Sequence, residues 1–161
     1  GLHQEMSIIQ NLNMVVCAVS RSWMVNWKKE AENCVNVVDM LKVKIGEPYN
    51  KISSLSGGNQ QKILLGKWLL SGPKLLIIDE PTRGIDVASK SEIYGILREL
   101  AEKGISIIMI SSEINEILGV TDRTLVVRDG RITASLKTDQ TTEEEIGYYS
   151  TIGDVRGEEA S

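Results

Sequence analysis

A chain of 161 residues, 42% of them hydrophobic, holds enough apolar material for one packed domain. Its 18 lysines and arginines against 22 aspartates and glutamates leave a mildly acidic balance, which argues against a nucleic-acid-binding stripe and against nucleic acid as a partner. The two cysteines, Cys17 and Cys34, have no C-x-x-C spacing and no histidine cluster beside them, so neither a zinc site nor a disulfide framework is indicated, and a reducing cytosol fits. The longest apolar stretch, Met14 to Val25, is short and interrupted by Ser20, Arg21 and Ser22, too little to span a bilayer. The opening Gly1-Leu2-His3-Gln4-Glu5 lacks the basic start of a signal peptide, so a soluble protein is expected.

From about Ser7 to Leu41, apolar positions recur at mixed helical spacing without strand-like alternation, which predicts helical material. Gly46-Glu47-Pro48-Tyr49-Asn50 breaks it, and a loop leads into Leu55. Ser56 is placed to cap the next helix, where Ile63, Leu64, Trp68 and Leu69 share a helical spacing that Gly72-Pro73 ends. A strand starts at once after it, and in Ile77-Ile78-Asp79-Glu80 its apolar run can lie inside a parallel sheet. Asp86 then serves as N-cap to a helix with Ile93, Ile96, Leu97 and Leu100 on one face, closed by Gly104. Strand Ile105 to Ile110 follows, and strand, helix and strand in this order imply a right-handed parallel crossover. A short helix over Glu113 to Leu118 comes next. Thr124 to Val127 and Ile132 to Ser135 then flank Asp129-Gly130, a hairpin signal, and Thr142 to Glu145 makes a capping-box start for a last helix. His3, the only histidine, reads as an exposed terminal residue.

Two strings carry chemistry. In Leu55-Ser56-Gly57-Gly58-Asn59-Gln60-Gln61-Lys62 a hydroxyl and two glycines stand where a helix begins, so bare N–H groups and the positive helix end can face a phosphate. The plain alternative is an ordinary capped helix, which accounts for Ser56 but not for two successive glycines, each of which costs chain entropy. In Leu75-Leu76-Ile77-Ile78-Asp79-Glu80-Pro81-Thr82 two acids emerge at the carboxyl end of a strand, where open α/β sheets hold their ligands. Many α/β proteins end a strand on a solvated Asp-Glu, so this pair alone is weak evidence.

Together the strings resemble the signature and Walker B motifs of an ATP-binding cassette ATPase, and Arg83-Gly84-Ile85-Asp86 resembles that family's D-loop. The wording LSGGNQQK, DEPTRGID and Ser111-Ser112-Glu113 is similar to the second nucleotide-binding domain of bacterial sugar importers of the ribose, galactose and xylose type, from about Gly1 to Asp154. The resemblance implies a partial P-loop NTPase fold of the α/β class with a mostly parallel sheet, a helical signature subdomain over 1–72, and a catalytic core portion over 73–161 that ends in an edge hairpin and helix. It implies ATP and Mg²⁺ as cofactors, with Asp79 holding the metal through water and Glu80 orienting or deprotonating the attacking water. Leu55, Ser56, Gly57, Gly58, Asn59, Gln60 and Asp86 would contact nucleotide, with Ser56 and the glycine N–H groups closing over the γ-phosphate held by a second nucleotide-binding domain. Asn59 stands where the common form of the motif has Gln. Ser112 falls where most relatives carry a switch histidine, and a hydroxyl can bond a phosphate oxygen but carries no charge near neutral pH. The other reading of Ser112, compatible with the first, is a cap for the helix from Glu113.

No G-x-x-x-x-G-K-[ST] phosphate loop exists in the sequence: Gly66-Lys67 is followed by Trp68, and position 61 is Gln. The chain therefore looks like the carboxyl-terminal part of a longer ATPase, inactive alone and dependent on a second nucleotide-binding domain, a transmembrane permease and, indirectly, a periplasmic sugar-binding protein, at the inner face of the plasma membrane. Two other readings stay open. One is a non-catalytic module that lends its LSGG to an intact partner. The other is a soluble cassette protein of translation or DNA repair, disfavoured by the acidic balance and by the Arg83-Gly84-Ile85-Asp86 wording.

Overall fold

The structure is a computed structural model that describes residues 1–19 and 26–151. Helices and strands follow in the order α1 (Ile8–Val19), α2 (Trp27–Met40), α3 (Gly57–Leu69), β1 (Leu75–Asp79), α4 (Val87–Glu102), β2 (Ser106–Ile110), α5 (Ile114–Val120), β3 (Arg123–Arg128), β4 (Arg131–Lys137) and α6 (Glu143–Thr151). Ser20, Arg21 and Ser22, expected to interrupt the apolar stretch, lie outside the described residues. No helix among the described residues is long and apolar enough to cross a membrane. Cys17 and Cys34 are free thiols. The chain divides into two compact units, one of Gly1–Leu76 with Pro81–Ile108, the other of Ile77–Glu80 with Met109–Ser161.

The first unit is a helical body. Ile8, Leu12, Cys34, Val37, Leu41, Ile52, Ile63 and Ile93 are its most deeply buried apolar side chains, drawn from α1, α2, α3 and α4 and from the connection between α2 and α3. The helices approach closely because position 66 is glycine: a Cβ there would stand 2.2 Å from Val37 Cγ1 and 3.2 Å from Leu12 Cδ2. Buried polar groups in this body are paired. Asn13 Nδ2 donates to the Ile9 and Glu30 carbonyls, and Asn33 Nδ2 donates to Asn13 Oδ1 at 2.8 Å. Lys62, almost wholly buried on α3, reaches Glu92 of α4 at 2.7 Å and donates to the Lys42 carbonyl. α4 begins where predicted, with Asp86 Oδ1 accepting from Ser89 N at 3.0 Å, and ends as Gly104 N donates to Ala101 O and Ile105 N to Leu100 O.

β1 and β2 are hydrogen-bonded neighbours. Ser106 N donates to Lys74 O at their starts and Glu80 N donates to Ile110 O at their ends, so they run parallel, with α4 as the crossover that the sequence implies. The apolar run of β1 is not enclosed on both sides as the sequence reading allowed. Leu76 and Ile78 are buried, whereas Leu75 and Ile77 are 48% and 63% exposed, because strand side chains alternate and only one face of this strand is covered.

The second unit is built on the hairpin β3–β4, paired antiparallel from Arg123↔Lys137 to Arg128↔Arg131 with a bulge between Val126 and Val127. Asp129 (φ 49°) and Gly130 (φ 76°) form the two-residue turn, both left-handed, as a type I′ connection needs. Val126 and Ala134 pack under Ile146 and Tyr149 of α6, with Ile114, Leu118 and Leu136 around them. Thr138 ties the hairpin to its approach through hydroxyl bonds with Thr121 and Thr124. Thr142 Oγ1 accepts from Glu145 N at 3.3 Å, so the predicted cap of α6 forms.

Candidate functional site: a helix-start turn and a strand-end carboxylate

In the first unit, the string from Leu55 to Gln60 turns into α3. Ser56 takes the N-cap position (φ −60°, ψ 156°), but its side chain makes no cap hydrogen bond, contrary to the sequence expectation. The reason is local: Asn59 Nδ2 donates to Ser56 Oγ at 3.1 Å, and Asn59 Oδ1 in turn accepts from Lys44 N at 3.2 Å. The first-turn N–H groups of α3 therefore receive nothing from Ser56, which leaves the positive helix end to the solvent side of the turn. Gln60 is turned inward: its Nε2 donates to Leu55 O at 3.0 Å and holds the turn shut from behind.

The two glycines do different work. A Cβ on Gly57, which is exposed, would meet nothing within 4 Å, so this position is open to an approaching ligand. Gly58 is buried, and a Cβ there would lie 2.4 Å from Ser89 Oγ and 2.5 Å from Ser89 Cβ. The close packing of α3 on the first turn of α4 requires a glycine here, a contact that the sequence reading did not include.

Asp86, placed with the nucleotide-contacting residues by sequence, stands beside that packing. Hydrogen bonds from the backbone N–H and the hydroxyl of Ser89 hold its carboxyl below the usual aspartate range. The D-loop segment before it is shaped by Ile85 N donating to Thr82 O at 3.2 Å around Gly84 (φ 74°), a turn for which a glycine is the natural residue. Thr82 itself is buried and its hydroxyl pairs with Tyr94.

In the second unit, Asp79 ends β1 with an exposed side chain, and Glu80 follows in a left-handed conformation (φ 47°). Glu80 is fixed at both ends: its N–H donates to Ile110 O at 2.8 Å, and its Oε1 accepts from Ser112 N at 2.9 Å. Ser112 thus meets Glu80 through its backbone rather than its hydroxyl. Nor is Ser112 the cap of the following helix. The N-cap is Glu113, which makes no side-chain cap bond; Ser111 shapes the turn ahead of it, its Oγ accepting from Glu113 N at 3.1 Å and donating to the buried Glu116 at 2.8 Å. A hydroxyl two residues ahead of an N–H that it can bond is the signal that would have identified this turn. Ser89, missed in the sequence, was also legible, since the third residue after an Asp N-cap is where the capping donor belongs.

Among the described residues no three His, Cys, Asp or Glu side chains converge as a metal cage. A single exposed carboxylate such as Asp79 does fit Mg²⁺, which keeps most of its waters and takes one or two carboxylates together with substrate phosphates.

The family model described as ABC transporter matches residues 1–83, and the chain belongs to that family. Among the relatives it is similar to, the xylose import ATP-binding protein XylG of Geobacillus kaustophilus is 45% identical over 154 residues, 95% of this chain and 31% of the relative. The ribose import ATP-binding protein RbsA of Bacillus subtilis is 43% identical over the same shares of the two chains. The galactose/methyl galactoside import ATP-binding protein MglA of Fusobacterium nucleatum is 56% identical over 110 residues, 68% of this chain and 22% of the relative. The chain thus spans about three tenths of the length of the xylose and ribose relatives. In fold it matches a dimeric ATP-binding cassette in a post-hydrolysis state bound to ADP and phosphate, with a TM-score of 0.74 and 20% identity over 88% of this chain and 60% of that one. A nucleotide-free cassette from an ABC transporter gives a TM-score of 0.72 at 25% identity, over 89% of this chain and 58% of that one.

Proposed function

We propose that the chain is the signature-bearing and carboxylate-bearing part of an ATPase that powers sugar import, with a permease and a second nucleotide-binding domain as partners at the cytoplasmic face of the membrane. The observation that carries this reading is the match over 95% of the chain to proteins named for xylose and ribose import, at 43–45% identity. Glu80 is the general base. Its carboxylate, aimed by the left-handed backbone and by the Ser112 N–H, accepts a proton from the water that attacks the terminal phosphate, while Oε1 stays bonded to the main chain. Asp79 would hold Mg²⁺ through water, and that ion would neutralise phosphate charge. Ser56 and the exposed N–H of Gly57 serve a different nucleotide, one held by the second domain, since the sequence has no phosphate loop of its own. Alone, the chain hydrolyses little ATP.

The test is ATP turnover of the whole gene product with Glu80→Gln. A fall of about a hundredfold or more suits a positioned base. Unchanged turnover removes Glu80 from that role. In a second reading the chain lends only its Leu55–Gln60 turn, with its uncapped Ser56 and open Gly57, to an intact partner. In that case Ser56→Arg suppresses turnover and Glu80→Gln does not.

A further inference from the structure

We propose that Asn59 is a positioning residue that sets the direction in which the Ser56 hydroxyl donates; the proposal rests on the phosphate-facing reading of Ser56. The argument follows from which atoms can face each other. The Lys44 backbone N–H is a donor, so the Asn59 atom that meets it at 3.2 Å is the carbonyl Oδ1. That fixes the amide, and the group 3.1 Å from Ser56 Oγ is necessarily the NH₂. The serine oxygen therefore accepts from Asn59 and keeps its own hydrogen for another partner. An unconstrained hydroxyl at a helix start turns that hydrogen freely or uses its oxygen to cap, and Ser56 does not cap. The result is a hydroxyl prepared as a donor at the open side of the turn, beside the exposed Gly57, where a phosphate oxygen is an acceptor without hydrogens to offer. Lys44, in the loop after α2, thereby contributes to the turn through its main chain alone.

The test is a double-mutant cycle on ATP turnover in the whole gene product, with Asn59→Ala, Ser56→Ala and both, and with thermal unfolding followed in parallel. Asn59→Ala should lower kcat several-fold to about tenfold, the scale of one hydrogen bond between neutral groups, and should have no further effect once Ser56 is Ala. Asn59→Asp is the sharper probe. It keeps an acceptor for Lys44 N–H but offers Ser56 an acceptor in place of a donor, which draws the hydroxyl proton inward, so it should lose at least as much kcat as Asn59→Ala with an unchanged unfolding midpoint. Equal losses from Asn59→Ala with and without Ser56 would overturn the proposal, as would full turnover in Asn59→Asp. If Ser56→Ala alone leaves turnover unchanged, the phosphate-facing reading of Ser56 fails first and takes the proposal with it. If Ser56→Ala is damaging and the Asn59 variants are not, only the proposal fails.

Discussion

Replacing Gly58 with alanine adds one methyl group against Ser89. The new carbon would sit 2.4 Å from Ser89 Oγ and 2.5 Å from Ser89 Cβ, whereas unstrained contacts between such atoms need roughly 3.5–4.0 Å. Relief requires a shift of about 1 Å between the start of α3 and the first turn of α4. Rotating the serine does not suffice, because its Cβ clashes as well as its hydroxyl. Overpacking of this kind costs about 1–3 kcal/mol, against which alanine regains at most about 1 kcal/mol of helix propensity. A net loss of about 1–2 kcal/mol is expected, read as a lower urea midpoint with unchanged m value. Ser89→Gly, which removes both clashing atoms, should restore the midpoint of Gly58→Ala beyond the sum of the two single effects. Gly57→Ala, with no atom within 4 Å of its added carbon, is the control and should leave stability unchanged or slightly raised. If Gly58→Ala matches the wild type in stability, or Ser89→Gly gives no rescue, the division of labour between the two glycines is wrong.

Gly66→Ala should be the more damaging change of the same type, by roughly 2–3 kcal/mol in urea denaturation, because its Cβ meets Val37 Cγ1 at 2.2 Å and is hemmed in by Leu12 and Leu41; Val37→Ala should relieve part of the loss. Acid should weaken the α3–α4 pairing. The Lys62 ammonium holds the Glu92 carboxyl below its ordinary value of 4.5, so this contribution is complete above about that pH and fades as the pH falls through the lower folded value. Glu92→Gln should therefore flatten the acid limb of a stability-against-pH curve, and an unchanged limb would show that Lys62 and Glu92 are not coupled.

Much of the architecture was legible because it rests on local chemistry. The Asp86 cap, the Asp129-Gly130 turn and the Thr142 start of α6 each depend on a few neighbouring residues whose conformational demands are plain from their types. The β1–α4–β2 order fixed a parallel pair for the same reason. What escaped were contacts between residues distant in sequence and choices among equivalent hydroxyls. Nothing in the spacing of Gly58 and Ser89, or of Lys44 and Asn59, reports that they touch. Ser111 and Ser112 are chemically alike, and only the turn after β2 decides which hydroxyl bonds Glu113 N and Glu116 and which residue presents its N–H to Glu80. The alternation of exposure along β1 likewise depends on what lies over each face, which an apolar pentapeptide does not encode.

The left-handed backbone at Glu80 has a consequence for how this protein would respond to selection. A side-chain-bearing residue held at φ 47° costs about 1–2 kcal/mol relative to an unstrained one, and glycine or asparagine would occupy the position more comfortably. A library screened for heat resistance alone would thus be drawn toward replacements at position 80 that abolish the aimed carboxylate. On the role proposed for Glu80, thermal robustness and turnover would pull in opposite directions at this one residue, and a directed-evolution campaign would have to score both together to keep it.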